Sequence, residues 1–359
     1  MTLHIFNPEH DIALASHLSN FTAPHAARQL RHDLGWLPAI WCSPGDVVMV
    51  DDVAFAQAAW RHFRTNSHLK GVCPSPLFAD RRQLGRLDIT SVEPWGWDSA
   101  LKALLLRAGV DDRLLPSDEA LEQIRTCSGR QLSARLLPQL RLPDTVGEAF
   151  VCQEEAQVGS YLEKYKHLVV KAPWSSSGRG IRFIDDDRCP MSLHGKWLRN
   201  LLKTQGEVTV EPYYKKVKDF GMEFHAHGDG TVTFAGLSLF NTKNGAYTGN
   251  VIATEQAKRE ELGRYVPIEL IDQTAQLITR LAAAELCPYC GPFGVDMMIV
   301  GTDDDGFLLH PCVELNLRNT MGNVAIRLTE KVNPALDPDV KRVMRLEAGI
   351  KYQLKIVKT

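Results

Sequence analysis

Residues 293–318 read FGVDMMIVGTDDDGFLLHPCVELNLR, in which two apolar segments flank an acidic, turn-forming cluster. Residues 293–300 are rich in side chains that favour β-structure, and residues 307–317 return to an extended pattern. The Asp and Gly residues between them are typical of a tight connection. The stretch therefore predicts a β-hairpin, and every other motif is interpreted in relation to it.

The polar side chains of this hairpin form a candidate metal site. Side chains two apart on a strand point to the same face. On the second strand that face carries His310, Cys312, Glu314 and Asn316. Antiparallel pairing can add Asp296 of the first strand, and carboxylate and amide oxygens are ligands that Mg²⁺ accepts. The alternative is that acidic residues near a strand end are simply solvated, and the stretch alone leaves both interpretations open.

Length and composition indicate a soluble globular protein of more than one domain. The 359 residues exceed a single compact core and predict two or three domains. A formal net charge of −2 gives no reason to expect nucleic acid or an anionic membrane as a partner. No apolar run is long enough for a membrane span and no signal peptide is recognisable, so we expect a cytoplasmic protein. The scattered cysteines fit a reducing compartment.

The N-terminal region alternates apolar runs with helix-compatible segments, which predicts an α/β domain over residues 1–115. Its first strand is followed by a polar group, Asn7, Glu9, His10 and Asp11. Ligands bind at the carboxyl ends of strands in open α/β sheets, but a loop and helix cap is the favoured interpretation of this group. No GxGxxG follows the strand, so nothing specific indicates a dinucleotide.

A second motif lies in the middle of the chain, where residues 168–171 predict a strand ending in Lys171. The loop SSSGRG follows at residues 175–180 and contains Arg179. Small residues allow backbone N–H groups to surround phosphate oxygens, and Lys171 and Arg179 add positive charge. A flexible turn is the alternative, and the GK[ST] ending of a P-loop is lacking.

The sequence also predicts a turn, a loop and the structure of the C-terminal tail. Gly228-Asp229-Gly230 indicates a hairpin turn, and the polar residues 241–250 are expected to form a mobile loop carrying Lys243. The tail is expected to contain a short helix at residues 339–345 and an edge strand at 350–358, whose lysines discourage further pairing.

From about residue 128 to 327 the order of motifs resembles the ATP-grasp superfamily of ATP-dependent carboxylate ligases. SGRQLSARLL resembles the opening helix, with Arg130 at the position of a phosphate-contacting lysine, and HLVVKAPWSSSGRGI resembles the strand lysine and phosphate loop. VTVEPYY resembles the adenine-reading hinge, residues 219–223 the segment that reaches ribose and cation, and FGVDMM…VELNLR the metal-binding end.

The resemblance implies an α/β N-terminal domain followed by an α+β ATP-grasp fold of two lobes with ATP between them. The expected boundaries are residues 1–115 for the first domain, 116–207 and 208–330 for the lobes, and 331–359 for a C-terminal helix and edge strand. The expected metal ligands are Asp296, Glu314 and Asn316, holding Mg²⁺ or Mn²⁺. The expected nucleotide-binding residues are Arg130, Lys171, Ser176, Ser177, Gly178, Arg179, Gly180, Glu211, Tyr213, Tyr214, Asp219 and Glu223.

The activity implied is that of an ADP-forming ligase, which activates a carboxylate as an acyl phosphate for attack by an amine, thiol or other nucleophile. Arg318 is expected to stabilise the departing phosphate or orient the carboxylate, and Lys243 to close over the site. The partners are then a small-molecule or peptide carboxylate and a nucleophile. A small-molecule kinase of the same fold and a nucleotide-binding regulatory protein without turnover are the alternatives.

The cysteines near the hairpin raise a separate hypothesis. Cys287 and Cys290 form a CxxC pair, and His310 and Cys312 an HxC pair, a combination of types that can bind zinc. Buried thiols or a redox pair are the favoured interpretation. The sequence leaves this question, the substrate and the oligomeric state open.

Overall fold

The N-terminal α/β unit is built on a parallel sheet. A computed structural model describes residues 1–67, 73, 76–175, 180–185, 191–243, 246–332 and 342–358. The strands are β1 (Thr2–Ile5), β2 (Val47–Met49), β3 (Leu77–Ala79) and β4 (Ser91–Pro94), in the order β3-β2-β1-β4. The helices are α1 (His10–Ser16), α2 (His25–Leu34), α3 (Val53–Asn66) and α4 (Ser99–Arg107). The predicted alternation of strands and helices is confirmed in the described part of this region.

The second unit is an antiparallel sheet with two helices. The helices α5 (Asp118–Cys127) and α6 (Arg130–Leu136) lead into it. Its strands are β5 (Phe150–Cys152), β6 (His167–Lys171), β7 (Ile181–Asp185) and β8 (Val208–Pro212), in the order β5-β8-β6-β7. Helices α7 (Glu155–Tyr165) and α8 (Met191–Gln205) contribute to its core with Val170, Leu198 and Val210, which are fully buried. Lys171 thus ends a central strand, as predicted.

The third unit is a larger antiparallel sheet. Its strands are β9 (Lys216–His227), β10 (Val232–Lys243), β11 (Ala246–Ile252), β12 (Cys290–Gly301), β13 (Phe307–Asn316), β14 (Arg342–Glu347) and β15 (Gln353–Lys358). Their order is β13-β12-β9-β10-β11-β14-β15, and the helices are α9 (Glu255–Leu262), α10 (Ile268–Leu286) and α11 (Met321–Val332). The hairpin predicted from residues 293–317 is confirmed as β12 and β13.

The turn between β9 and β10 shows why its glycines are needed. Gly228 and Gly230 have φ angles of 79° and 83°, in the left-handed region that side-chain-bearing residues rarely adopt. The turn lets β9 pair with β10 on one edge and with β12 on the other. The hairpin predicted there is confirmed.

Two expectations about the last third of the chain are wrong. The described residues of 241–250 form the ends of β10 and β11 rather than a loop, because β11 also pairs with β14 and its backbone is satisfied on both edges. The helix expected at 339–345 is replaced over residues 342–345 by β14, whose pairing with β11 and β15 outweighs local helix propensity. The edge strand predicted at the C-terminus is confirmed as β15.

The C-terminal strands complete the core of the N-terminal unit. Met344 of β14 and Leu354 of β15 belong to the same buried cluster as Trp36, Trp60 and Phe63. Val324 and Leu328 of α11 are fully buried in that cluster too. The first and last parts of the chain therefore share one apolar core. Within the described residues, no helix has the length and apolar character needed to cross a bilayer.

Truncating the tail's buried anchor is expected to destabilise the whole protein. Met344→Ala removes a fully buried side chain and should lower the free energy of unfolding by about 2–5 kcal/mol. Ile350→Ala is the matched control, since Ile350 is 98% exposed and its truncation should have little effect. Urea unfolding followed by circular dichroism measures both, and equal stability of the two variants would contradict the shared core.

Candidate nucleotide and metal site

Three neighbouring strands present carboxylates on one face of the large sheet. Asp296 of β12 lies opposite Glu314 on β13 and opposite Gly221 on β9. Gly294 lies between Asn316 and Glu223 in the same way. Register partners point to the same face, so Asp296, Glu314, Asn316 and Glu223 share it. The predicted arrival of Asp296 beside Glu314 is confirmed, while metal binding by these residues stays a prediction.

Hydrogen bonds position the carboxylates of Asp296 and Glu223, and a glycine lies between them. The Asn316 Nδ2 donates to Asp296 Oδ2 at 3.2 Å, and the Thr320 hydroxyl donates to Glu223 Oε2 at 2.7 Å. A Cβ placed on Gly221 would lie 3.5 Å from Asp296 Oδ1 and 3.8 Å from Glu223 Oε1. Because Gly221 has no side chain, the space between the two carboxylates stays open.

Burial and the proximity of like charges raise the pKa values of two of these carboxylates. Desolvation, followed by the negative charge of Glu314, raises the pKa of Asp296 to about 7. Desolvation also raises the pKa of Glu223 to about 8, with the charge of Asp296 adding to it and the Thr320 hydrogen bond opposing it. A bound cation would favour the charged form of both groups.

The donor set fits a hard divalent cation in chemistry, since it offers only carboxylate and amide oxygens. No group of three or more His, Cys, Asp or Glu is arranged as a metal site in the described parts of the chain. Asp296, Glu314 and Asn316 supply two carboxylates and one amide, so a cation held by them would take further ligands from water or phosphate oxygens. Mg²⁺ is commonly bound in this way.

Two cations from outside the large sheet, Lys171 of β6 and Arg130 of α6, reach strand β13. The Lys171 Nζ donates to Glu211 Oε1 at 2.6 Å and to the Val313 carbonyl at 3.2 Å. The Arg130 Nη2 donates to Glu314 Oε1 at 2.8 Å, and its guanidinium is almost fully buried. Two cations expected to contact phosphate therefore lie within hydrogen-bonding reach of residues 313 and 314.

The phosphate loop is only partly described. Ser176, Ser177, Gly178 and Arg179 lie outside the described residues, whereas Gly180 is described. Its carbonyl accepts from the Ala172 N–H at 2.8 Å, which draws together the two ends of the loop. A Cβ at Gly180 would lie 2.4 Å from Ser175 Cβ, so this close approach requires glycine.

The expected hinge residues differ in exposure. Glu211 is buried and holds Lys171, whereas Tyr213 is 57% exposed and packs edge-on against Phe183. Tyr214 lies edge-on against His310, with ring centroids 5.4 Å apart.

Two remaining expected residues lie farther along the sheet. Asp219 accepts hydrogen bonds from Lys216 Nζ at 2.6 Å and from Thr242 Oγ1 at 3.0 Å. Lys243 is the last residue of β10, and its side chain lies outside what the structure describes. Its expected role as a lid therefore stays a prediction.

Arg318 is held by a residue whose role the sequence left open. Its guanidinium donates to Asp11 Oδ1 and Oδ2 at 2.9 and 3.0 Å and to Asn316 Oδ1 at 2.9 Å. Desolvation alone would raise the pKa of Asp11, but the charge and the hydrogen bonds of Arg318, together with the charges of His10 and Arg130, outweigh it and lower the pKa. In the sequence, Asp11 is recognisable only as an acidic residue that follows the first strand. The fold shows that it binds Arg318, which lies 307 residues farther along the chain.

The other members of the N-terminal polar group contact their own domain. Asn7 Nδ2 and His10 Nδ1 both lie 3.3 Å from Asp98 Oδ2. Glu9 forms a salt bridge with Arg31. The favoured interpretation of this group as a loop and helix start therefore fits Asn7, Glu9 and His10, but it overlooked Asp11.

The four candidate zinc ligands are not brought together. Cys287 and Cys290 are exposed beyond the end of α10, whereas His310 and Cys312 are buried. Cys312 lies in the apolar core with Leu315, so the expectation that it shares the face of Glu314 is wrong. The reason is an irregularity in the pairing of β12 with β13. Asp296 pairs with Glu314, but Met298, two residues on, pairs with His310, four residues back, so the alternation of side chains along β13 is interrupted at Cys312.

Comparison with known proteins identifies the fold. No protein-family model matches the sequence, and no curated protein matches it. The chain is similar in structure to the biotin carboxylase domain of Hydrogenobacter thermophilus 2-oxoglutarate carboxylase, with a TM-score of 0.52. The match has 11% sequence identity and covers 96% of this chain and 74% of that chain. The chain has the ATP-grasp fold.

Two further structures are similar to this ATP-grasp fold. One is N5-carboxyaminoimidazole synthetase from Staphylococcus aureus with ADP, at a TM-score of 0.49 and 13% identity, covering 96% of this chain and 82% of that chain. The other is a protein from Archaeoglobus fulgidus described as an ATP-grasp superfamily protein, at a TM-score of 0.48 and 12% identity, covering 100% of this chain and 99% of that chain.

Acid should destabilise the protein through His310, which is fully buried next to the site. Neither of its ring nitrogens has a hydrogen-bond partner among the residues that the structure describes, and desolvation, followed by the charge of Lys171, lowers its pKa from 6.5 to about 3. As the pH falls, His310 is therefore protonated in the unfolded chain before it is protonated in the folded protein. The free energy of unfolding should decrease as the pH drops below 6.5. Between pH 7 and 5 this one group should remove about 2 kcal/mol of unfolding free energy.

The variant His310→Leu should lose about that part of the pH dependence, measured by urea unfolding at both pH values. His62→Leu is the control, because His62 lies exposed on α3 and is hydrated in both states. An unchanged pH dependence in His310→Leu would show that His310 can be protonated without opening the fold.

Proposed function

We propose that this protein is an ATP-dependent, ADP-forming ligase that activates a carboxylate as an acyl phosphate for attack by an amine, thiol or other nucleophile. The observation that carries the proposal is the contact between Arg130 and Glu314, supported by that of Lys171 with the Val313 carbonyl. These contacts bring the candidate phosphate-binding cations and the candidate metal ligands to one place, where the second and third units meet. Binding of a nucleoside triphosphate requires both cationic side chains and metal ligands near its phosphates.

The proposed nucleotide contacts follow from this arrangement. Lys171 and Arg130 would neutralise phosphate charge, assisted by the backbone amides of the glycine-containing loop. Both cations are ion-paired here, Lys171 with Glu211 and Arg130 with Glu314, so phosphate binding would replace or share these partners. The backbone next to Tyr213 and Tyr214 would contact the adenine.

Asp296, Glu314 and Asn316 would hold Mg²⁺ or Mn²⁺. When bound, the cation would neutralise charge on the phosphate oxygens. The raised pKa of Asp296 supports this fit, because two facing carboxylates are costly to charge without a cation. The biotin carboxylase domain from Hydrogenobacter thermophilus was crystallised with MgADP and bicarbonate, which favours the same combination of nucleotide, cation and carboxylate-like substrate here.

In the proposed reaction, a carboxylate oxygen of the substrate attacks the γ-phosphorus of ATP while the bond to ADP breaks. The nucleophile then attacks the acyl carbon and phosphate leaves. The residues of this chain act by position and charge, and none becomes covalently attached. Arg318, fixed by Asp11, would face the transferred phosphoryl group or the substrate carboxylate.

Removing the charge of Glu314 should abolish most of the turnover. In Glu314→Gln we expect phosphate release from ATP to fall by about 100-fold or more, because the variant loses a metal ligand and the partner of Arg130. Glu330→Gln, an exposed position on α11, is the matched control and should keep full activity. Unchanged turnover in Glu314→Gln would rule out the metal role of that residue.

The reaction class is tested by a screen of amino acids, peptides and dicarboxylates combined with amines and thiols. A ligase releases ADP and phosphate only when both an acid and a nucleophile are present. A phosphorylated product that accumulates with a single substrate would identify a kinase instead. Failure of every pair to stimulate ADP formation would favour a regulatory nucleotide-binding protein.

Asp11 should matter for rate rather than for nucleotide binding. Asp11→Asn removes the charge that fixes Arg318, and we expect kcat to fall by about 10- to 100-fold, as for other residues that orient a functional group. The dissociation constant of ATP, measured by calorimetry, should change little. Asp112→Asn, an exposed change in the same domain, is the control. Equal kcat values for Asp11→Asn and the unmodified protein would contradict a positioning role.

A further inference from the structure

A cleft of about 900 Å³ opens in the N-terminal unit, away from the carboxylate face. Its walls include residues at or just after the carboxyl ends of three parallel strands: Ile5 and Asn7 after β1, Met49 and Val50 after β2, and Asp80 after β3. Asp98, which follows β4, lines it too. Ligands bind at this edge of parallel sheets, at the point where the strand order reverses, and the volume suits a small molecule.

The carboxylates on the walls are already engaged. Glu9 and Asp51 both pair with Arg31, and Asp80 pairs with Arg82 at 2.7 Å. Asp98 accepts from the Leu101 N–H at 2.9 Å, capping α4, and also contacts Asn7 and His10. All four lining carboxylates are thus held by these contacts, and the lining carries five arginines against them, so the cleft has a small excess of positive charge.

Three further arginines line the cleft, and none has a side-chain partner among the described residues. Arg28 lies on α2, Arg81 follows β3, and Arg107 ends α4. They come from three separate segments and face one space. Guanidinium groups bind phosphate and carboxylate with paired hydrogen bonds, so three unpaired guanidinium groups around one cleft favour a ligand with more than one anionic group.

We propose that this cleft binds a small organic polyanion through Arg28, Arg81 and Arg107. The β1–α1 connection links the cleft to the candidate active site, because Asn7 and Glu9 line the cleft while Asp11 holds Arg318. The cleft would therefore hold the distal anionic part of the ligase substrate. That last assignment rests on the proposed function, whereas binding of the anion does not.

The test is calorimetric titration without ATP, using fructose bisphosphate and citrate as separate probes for phosphate and carboxylate groups. We expect at least one of them to bind, and the double variant Arg28→Gln/Arg107→Gln to weaken that binding by about 100-fold. Arg86→Gln, an exposed arginine outside the cleft, should leave binding unchanged. Lys171→Met should also leave it unchanged, which separates the cleft from the nucleotide site.

Three results would overturn the proposal: no binding of either probe at millimolar concentration, loss of binding only in Lys171→Met, or equal weakening by Arg86→Gln. Circular dichroism establishes that the double variant is folded, and the two single variants replace it if it is not. Because ATP is absent, failure here leaves the proposed ligase activity standing. Failure of the turnover screen likewise leaves anion binding intact.

Discussion

Two carboxylates facing each other across neighbouring strands are the constraint around which this molecule is arranged. Asp296 and Glu314 are register partners, and their mutual repulsion contributes to the raised pKa of Asp296. Such a pair is stable only when cations or hydrogen-bond donors surround it. Arg130 supplies one contact to Glu314 and Asn316 supplies one to Asp296. The need to compensate this charge thus links Arg130, at the start of helix α6, to strand β13.

The same constraint extends to the N-terminal unit. Arg318 donates to Asn316 and is fixed by both oxygens of Asp11. A bidentate pair of this kind sets the orientation of a guanidinium as well as its position. The N-terminal α/β unit is therefore part of the candidate site. Its arginine-lined cleft includes Glu9, which is two residues from Asp11 along the chain. This continuity is why we connect the cleft with the substrate rather than with a separate function.

Local patterns predicted the parts of the fold whose physics is local. The β12–β13 hairpin follows from two β-favouring runs around an acidic turn, and the β9–β10 hairpin from glycines that alone tolerate its positive φ angles. The predictions failed where distant strands decide the outcome. Residues 241–250 look like a polar loop until β14 pairs with β11, and β14 itself was expected to be helical. The register shift that turns Cys312 into the core is likewise invisible in the alternation of its neighbours.

The sequence by itself determined the residue types of the candidate site and their order along the chain: the strand lysine, the small-residue loop, and the carboxylates and amide of the last hairpin. It could do so because each motif is confined to a few residues with a characteristic strand or turn pattern. Only the tertiary structure decided that Arg130 meets Glu314, that Asp11 holds Arg318, and that three arginines from separate segments line one cleft. Those contacts join residues far apart in the chain, and side-chain charge is compensated in space rather than along the sequence.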